Sequence, residues 1–261
     1  VMGGGSNVLA SDEGFDGLVI KMAHRTLEIE ENIVHADAGV LSSMLARKSV
    51  EAGLKGLEWM ISLPGTVGGA VRGNAGCFGG EIKDVFKEAQ VLHDGEVATH
   101  SYEQLAFGYR ESAVKHSNDI ILSATFELES GDATKLKARM DEILSKRKST
   151  QPTHSGSAGC MFKNFEFVED EEIEKLKAET EVPEGMLESK RLSSGWLIDQ
   201  MDLKGKKIGG AQISEEHGNF LVNLGDATAS DVAQLIAVIK TAARDRYGIR
   251  LQEEVQYLGF E

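Results

Sequence analysis

The chain has 261 residues, with 28 Lys plus Arg against 42 Asp plus Glu and a formal net charge of −14. That length supports one large or two modest domains, and that charge argues against nucleic acid or an anionic membrane as the main partner, because both need a basic face. Cys77 and Cys160 are the only cysteines, which excludes a disulfide framework, and no apolar run approaches the ~20 residues of a membrane span. No signal peptide is visible. The expectation is a soluble, cytoplasmic, globular protein, and a phosphorylated small molecule, which needs only a local basic pocket, stays open as its partner.

In chain order, Gly3-Gly4-Gly5-Ser6-Asn7 forms a glycine-rich loop ahead of Val8-Leu9-Ala10. Leu18-Val19-Ile20 predicts a strand. Leu27–Glu30 and Ile33–Ala36 predict a hairpin that turns at Glu31-Asn32. Ser42 is placed to cap a helix with Leu45, Ser49 and Ala52 on one face and Gly53 at its end. Met44, Leu45 and Trp59 are assigned to the core. From Leu63 to Gly76 the chain carries five glycines in fourteen residues. So dense a run is expected to be a loop, since glycine takes φ > 0 freely and lets other groups approach the backbone. Pro64-Gly65 marks a turn, and successive N–H groups in such loops form concave anion sites. A plain tight loop is the competing reading. Two separate glycine-rich loops favour a large dinucleotide, although neither is a G-x-G-x-x-G or a G-x-x-x-x-G-K-[ST] motif.

Ala89–Leu92 predicts a strand, His93-Asp94-Gly95 a hairpin turn, and Val97 the start of the return. Ile120–Leu122 and Ala124–Leu128 continue the sheet. Leu136, Met140, Ile143 and Leu144 form the stripe of an amphipathic helix that ends in Lys146, Arg147 and Lys148 and is broken by Gln151-Pro152-Thr153. The domain boundary is expected there, giving domains 1–148 and 149–261. The acidic run from Glu166 to Lys190 is read as a solvated helix or loop. Thr228-Ala229-Ser230-Asp231 opens a helix with a capping box. Val232, Leu235, Ile236, Ile239 and Ala243 form its buried stripe, and Gly248 ends it. Leu251 to Leu258 is expected to be the last strand, with Glu254 on its polar face beside Gln252 and Gln256. The histidines show no metal-ligand spacing, so no metal is expected.

Three residues invite chemistry. In Ser157–Asn164 a small-residue turn runs into a strand-like stretch, with Cys160 and Phe162 expected on one face and Met161 and Lys163 on the other. A lone cysteine is more often a small buried hydrophobe than a reactive group. Arg110, after Phe107-Gly108-Tyr109, could clamp a carboxylate bidentately, although surface arginines are far more common. Glu254 is either solvent-exposed or part of a polar cleft wall.

Taken together, these pieces resemble the UDP-N-acetylenolpyruvoylglucosamine reductase family of flavoproteins. The matching stretches, in order, are Gly3–Asn7, Pro64–Ala70, Asn74–Gly76, Phe107–Arg110, Ser157–Cys160, Phe162–Asn164, Gly209–Gln212, Asn219-Phe220 and Glu254-Val255. The resemblance covers essentially the whole chain. It implies an α+β protein with an FAD-binding domain of the vanillyl-alcohol-oxidase type followed by a smaller α+β substrate domain. It implies FAD as cofactor, NADPH as hydride donor, and reduction of UDP-N-acetylglucosamine enolpyruvate to UDP-N-acetylmuramate in peptidoglycan synthesis. By the same resemblance, FAD contacts fall on Gly3, Gly4, Gly5, Ser6, Asn7, Pro64, Gly65, Thr66, Val67, Gly68, Gly69, Asn74, Ala75 and Gly76. Arg110 and Glu254 support the enolic intermediate, and Cys160 is the proton donor. Lys148, Lys163, Asn164 and Gln212 hold the substrate.

Three departures accompany the resemblance. The family usually has serine where Cys160 stands. An earlier N-terminal part of the FAD domain is expected to be missing, so the chain reads as truncated. No tyrosine-bearing loop stands in the substrate domain before Cys160, which matches the family's shorter type, and the stretch before Gly195 reads as a surface insertion. A non-catalytic flavin or nucleotide-sugar binder, and another FAD oxidase of the same fold, remain as alternatives. Cys77 is the one residue that invites a covalently linked flavin, and a packed side chain is expected there.

Overall fold

The computed structural model describes residues 1–152 and 154–260, so Thr153, at the expected helix break, lies outside the described residues. The chain divides into two units. The first comprises Val1–Gly5 and Leu18–Ser149, the second Ser6–Gly17 and Thr150–Glu261. The cut after Ser149 falls close to the expected boundary, but Ser6–Gly17 groups with the second unit, not the first.

The first unit is built on a five-stranded antiparallel sheet in the order Leu27–Glu30, Ile33–Asp37, Ile120–Glu127, Phe86–His93, Glu96–Ser101. The two hairpins fall where the turn residues demand. Glu30 pairs with Ile33 and His93 with Glu96, so each turn has two residues. Glu31 (φ 54), Asp94 (φ 48) and Gly95 (φ 87) take the left-handed conformation that such tight turns require. Val34, Ala36, Ala89, Val91, Ala124 and Phe126 share one buried cluster with Leu45, Val50, Val67, Val71, Leu136, Met140 and Ile143 from the helices Ser42–Glu51, Val67–Arg72 and Ala133–Thr150.

Several expectations fail here for physical reasons. Leu18-Val19-Ile20 is not a strand: only Ile20 O accepts from Met2 N, Met22 N bonds Met2 O in turn, and Leu18 stays 80% exposed. Leu41, not Ser42, is the N-cap residue, and the Ser42 hydroxyl is buried in the first turn. Ala52 lies outside the buried face, which is made by Leu45, Ala46, Ser49 and Val50. Leu144 is exposed, because Leu136, Met140 and Ile143 already complete the stripe. The glycine-dense stretch contains a helix, Val67–Arg72. A Cβ on Gly68 would stand 2.8 Å from the Ala38 Cβ, so this glycine lets a helix approach a strand end closely.

The second unit has a small antiparallel sheet in the order Lys207–Ile208, Ala211–Ile213, Leu221–Asn223, crossed by the long helix Ala229–Tyr247. The predicted capping box is present: Thr228 Oγ1 accepts from the Asp231 N–H at 3.0 Å and Asp231 returns the bond to Thr228 N at 3.0 Å. Gly248 ends the helix at φ 72. Asp12 explains why residues 6–17 belong here. Its carboxylate accepts from the Ala229 and Ser230 N–H groups at 2.8 and 3.2 Å, adding a negative charge to the helix start. Val8–Ala10 also pairs in parallel with Gln256–Leu258. Only those last three residues form a strand, shorter than the expected Leu251–Leu258. The acidic run carries two helices, Asp170–Glu179 and Glu184–Glu188. It is not wholly solvated, since Phe167, Ile173, Leu176 and Val182 enter the core. Among the described residues, no helix is long and apolar enough to cross a membrane.

Candidate active site

In the first unit, the two glycine-rich loops meet. Gly3 lies so close to the Thr66 side chain that a Cβ would collide with its hydroxyl, and a Cβ on Gly4 would stand 3.0 Å from the Gly65 Cα. Gly5 (φ 69) and Gly65 (φ 104) both use left-handed backbone. Thr66 Oγ1 is buried without a hydrogen-bond partner among the described residues. The first N–H groups of the following helix do not form the expected anion cup: Val67 N bonds Val40 O at 2.9 Å and Gly68 N bonds Ala38 O at 3.0 Å. Ala75 is held by backbone bonds to Ala70 and Ile82, and Gly76 pairs with Glu81 where a side chain would clash.

Arg110 is carried by a turn. Gly108 and Glu111 exchange backbone hydrogen bonds at 3.0 and 3.2 Å, leaving Tyr109 and Arg110 at the tip. Arg110 has φ 57, costly for a side chain with a Cβ. Its guanidinium bonds Gly76 O at 2.6 Å, and Lys115 Nζ bonds its carbonyl at 2.5 Å. Ser112 Oγ donates to Arg72 O at 2.6 Å and Arg72 returns a bond to Lys115 O at 3.0 Å. Burial holds the Arg72 guanidinium below its usual pKa, with Glu111 opposing the shift. Lys148 is exposed near the end of its helix. Cys77 is packed: burial raises its thiol pKa, and its Sγ lies 3.6 Å from Trp59 O.

In the second unit, Cys160-Met161-Phe162 lies between two extended segments. Cys160 bridges Phe220 on one side and Phe162 bridges Glu253 on the other. Met161 O accepts from Glu254 N at 2.8 Å, and Met161 N donates to Asn219 O at 2.8 Å. Cys160 and Glu254, remote in sequence, therefore stand on neighbouring hydrogen-bonded segments. Met161 and Phe162 are both 1% exposed, so neighbouring side chains of this segment are alike covered. Asn219, absent from the expected site residues, clamps this segment: its side chain accepts from Phe162 N at 2.9 Å and donates to Phe162 O at 2.8 Å. Asn7 pins the other side, giving a bond to Glu254 O at 3.0 Å and accepting Gln256 N at 2.9 Å on its carbonyl. Asn164 Oδ1 accepts from Ser194 N at 3.2 Å, and Ser194 Oγ donates to Lys163 O at 2.5 Å. Gln212 Nε2 is spent on Gly205 O and Glu215 at 3.2 and 3.4 Å. Asn219 fell in a matching stretch without a role and no motif marked Ser194; their partners lie 57 and 31 residues away.

Comparison with known proteins places these features. Residues 1–101 match the model of an FAD-binding domain and residues 151–258 that of the C-terminal domain of UDP-N-acetylenolpyruvoylglucosamine reductase. A reductase of that name from Alkaliphilus oremlandii is 38% identical over all of this chain and 79% of its own length. The chain belongs to the UDP-N-acetylenolpyruvoylglucosamine reductase family. The reductase of Clostridioides difficile is 37% identical over 99% of this chain and 78% of its own length. The crystal structure of the reductase from Thermus caldophilus superposes with a TM-score of 0.74 at 33% identity, covering 97% of this chain and 83% of that one. Membership in the reductase family carries the fold: an FAD-binding unit of the vanillyl-alcohol-oxidase type and a mixed α+β second unit. The residues of the first unit fit FAD. Gly3 and Gly4 carry no side chain where the two loops close on each other, and the unpartnered Thr66 hydroxyl offers a polar group beside them.

Proposed function

We propose that this family member reduces the enolpyruvyl double bond of UDP-N-acetylglucosamine enolpyruvate to give UDP-N-acetylmuramate for peptidoglycan synthesis, with NADPH as the source of hydride. It acts as a cytoplasmic monomer on this small substrate. Gly3, Gly4, Gly5, Pro64, Gly65, Thr66 and Gly69 would hold FAD, with Ser6 continuing the first loop. FAD, when bound, supplies the hydride chemistry between NADPH and the sugar.

The chain's own residues handle charge and proton. Hydride arriving at the terminal CH2 carbon leaves negative charge on the carbon that bears the carboxylate. Arg110 answers that charge with a planar guanidinium that matches a carboxylate. Glu254, kept protonated, donates a hydrogen bond to the same carboxylate, and both act as preset electrostatic stabilisers. The Cys160 thiol gives its proton to the carbon and completes addition across the double bond. Lys148, Lys163, Asn164 and Gln212 are assigned to the diphosphate and sugar. The observation that carries the reading is the bond between Met161 and Glu254, which sets an acid and a carboxyl group on adjoining segments. Burial and the raised thiol pKa of Cys77 speak against a covalently linked flavin at that position.

The test is anaerobic. The protein is loaded with FAD, supplied with limiting NADPH, and given the enolpyruvyl sugar while NADPH consumption and product are followed. Stoichiometric formation of the reduced sugar, lost in Glu254→Gln, is the expected result. FAD binding with no reduction of the sugar would overturn the assignment.

A further inference from the structure

Asn74 is fully buried, at 0% exposed. Its Nδ2 gives one hydrogen to Gly108 O at 2.8 Å and the other to Glu81 Oε2 at 3.0 Å. Its Oδ1 accepts the Lys83 N–H at 3.0 Å. A carboxamide has two donor hydrogens, and both are committed inside the first unit. Nothing remains on the nitrogen for a cofactor, although the resemblance to the family groups Asn74 with the FAD contacts. Its backbone stands at φ 39, which asparagine tolerates better than most residues. Aspartate could not donate and would oppose Glu81; glutamine is one methylene too long.

The bond to Gly108 is the informative one. Gly108 is the base of the two-residue turn whose tip is Tyr109 and Arg110. A left-handed residue at the second tip position is ordinarily Gly or Asn. Here it is an arginine at φ 57, and such conformations persist only where the surroundings over-determine them. Asn74 fixes one end of the turn, Lys115 the carbonyl of Arg110, and Gly76 O the guanidinium. Ser112 ties the far end to Arg72 O.

We propose that Asn74 is a positioning residue for Arg110: its buried carboxamide holds the turn that presents the guanidinium, and it is not an FAD ligand. The consequence for catalysis rests on the role assigned to Arg110 above; the hold on the turn does not.

The test uses Asn74→Gly, which keeps the left-handed backbone and deletes the carboxamide. Hydrogen–deuterium exchange over residues 107–115, FAD titration, reduction of the holoenzyme by NADPH, and transfer of reducing equivalents to the enolpyruvyl sugar are measured separately. Protection at 107–112 is expected to fall, with FAD affinity and the NADPH step unchanged. Transfer to the sugar should slow about 10- to 100-fold, the scale of a misplaced catalytic group. In an Arg110→Ala background the same change should cost less than about twofold, as for residues acting in series. Retained protection at 107–112, or a loss of FAD affinity with normal transfer, would overturn the proposal. If the wild-type protein itself fails to reduce the sugar, the functional reading falls, and exchange together with FAD affinity still decides on Asn74. Should Asn74→Gly fail to fold, Asn74→Ser keeps a small polar group but removes the two N–H donors, and it is read by the same measurements. A loss of at least about threefold in transfer, the low end of what one net hydrogen bond is worth, supports the proposal, and no loss overturns it.

Discussion

The two units fix their candidate residues by opposite means. In the first, Arg110 sits at the tip of a turn, in a backbone conformation that resists it, and side chains from Asn74, Lys115 and Ser112 hold the turn in place. In the second, Cys160 and Glu254 sit in relaxed extended segments joined by backbone bonds, with a single asparagine clamping the peptide of Phe162. The first arrangement aims one long side chain at the expense of local strain. The second sets two short side chains by register, which is robust until a segment slips. A lesion near Arg110 should therefore cost activity before stability, and a lesion near Cys160 should cost stability along with activity.

The largest expected effect comes from the tip of the turn. Arg110→Lys keeps the charge and loses the planar fork. Turnover should fall about 10²- to 10³-fold, the range for removing a preset stabiliser, with an unchanged melting temperature. A matching loss of stability would erase the contrast. Asn219→Ala strikes the other arrangement. It leaves the N–H and carbonyl of buried Phe162 without their partner, at a cost of about 2–4 kcal/mol. The chain has two tryptophans, Trp59 in the first unit and Trp196 in the second. In a Trp59→Phe background, urea unfolding followed by Trp196 fluorescence reads this loss in its own unit. Gly68→Ala is the next smaller test. The added methyl meets the Ala38 Cβ at 2.8 Å and should destabilise the first unit by about 1–3 kcal/mol, read from Trp59 in a Trp196→Phe background.

The smallest effect concerns pH and the surface hairpin. Asp119 raises the His93 pKa above its ordinary 6.5, and His93 lowers that of Asp119 below its ordinary 3.8, chiefly through their 2.7 Å hydrogen bond. The histidine contribution is complete below 6.5 and is lost as pH rises through the raised value; the aspartate contribution is complete above 3.8 and is lost as pH falls through the lowered one. Their pairing thus favours the fold between those limits. His93→Gln should flatten the pH dependence of the first unit's unfolding midpoint slightly, and high salt should mimic it. An unchanged profile would mean that the pair contributes nothing.

What the sequence revealed follows the reach of each signal. The turns at Glu31-Asn32 and Asp94-Gly95 and the cap at Thr228 are decided by residues two or three apart, and they were legible. The helix Val67–Arg72 was hidden because glycine content reads as loop, whereas Gly68 serves a contact with Ala38, 30 residues upstream. Arg110, Cys160 and Glu254 were singled out as candidates by the family motifs. Asn74 and Asn219 fall in those motifs too, but what they hold was not legible: Asn74 reaches Gly108 across 34 residues and Asn219 reaches Phe162 across 57. An asparagine's partners leave no periodic trace.

The grouping of residues 6–17 with the second unit has a consequence for how the protein is made. Asn7 must find Glu254, 247 residues later, and Asp12 must find Ala229, 217 residues later. On the ribosome, Asn7 and Asp12 emerge more than two hundred residues ahead of the partners they need. The second unit cannot close until Glu254 has emerged, and contacts of this span are slow to form. The 8–10 strand spends that interval with its pairing edge open, a state prone to association with other chains. A fragment beginning at residue 150 would lack both this strand and the Asp12 cap, so the isolated second unit is best expressed with residues 6–17 joined back to it.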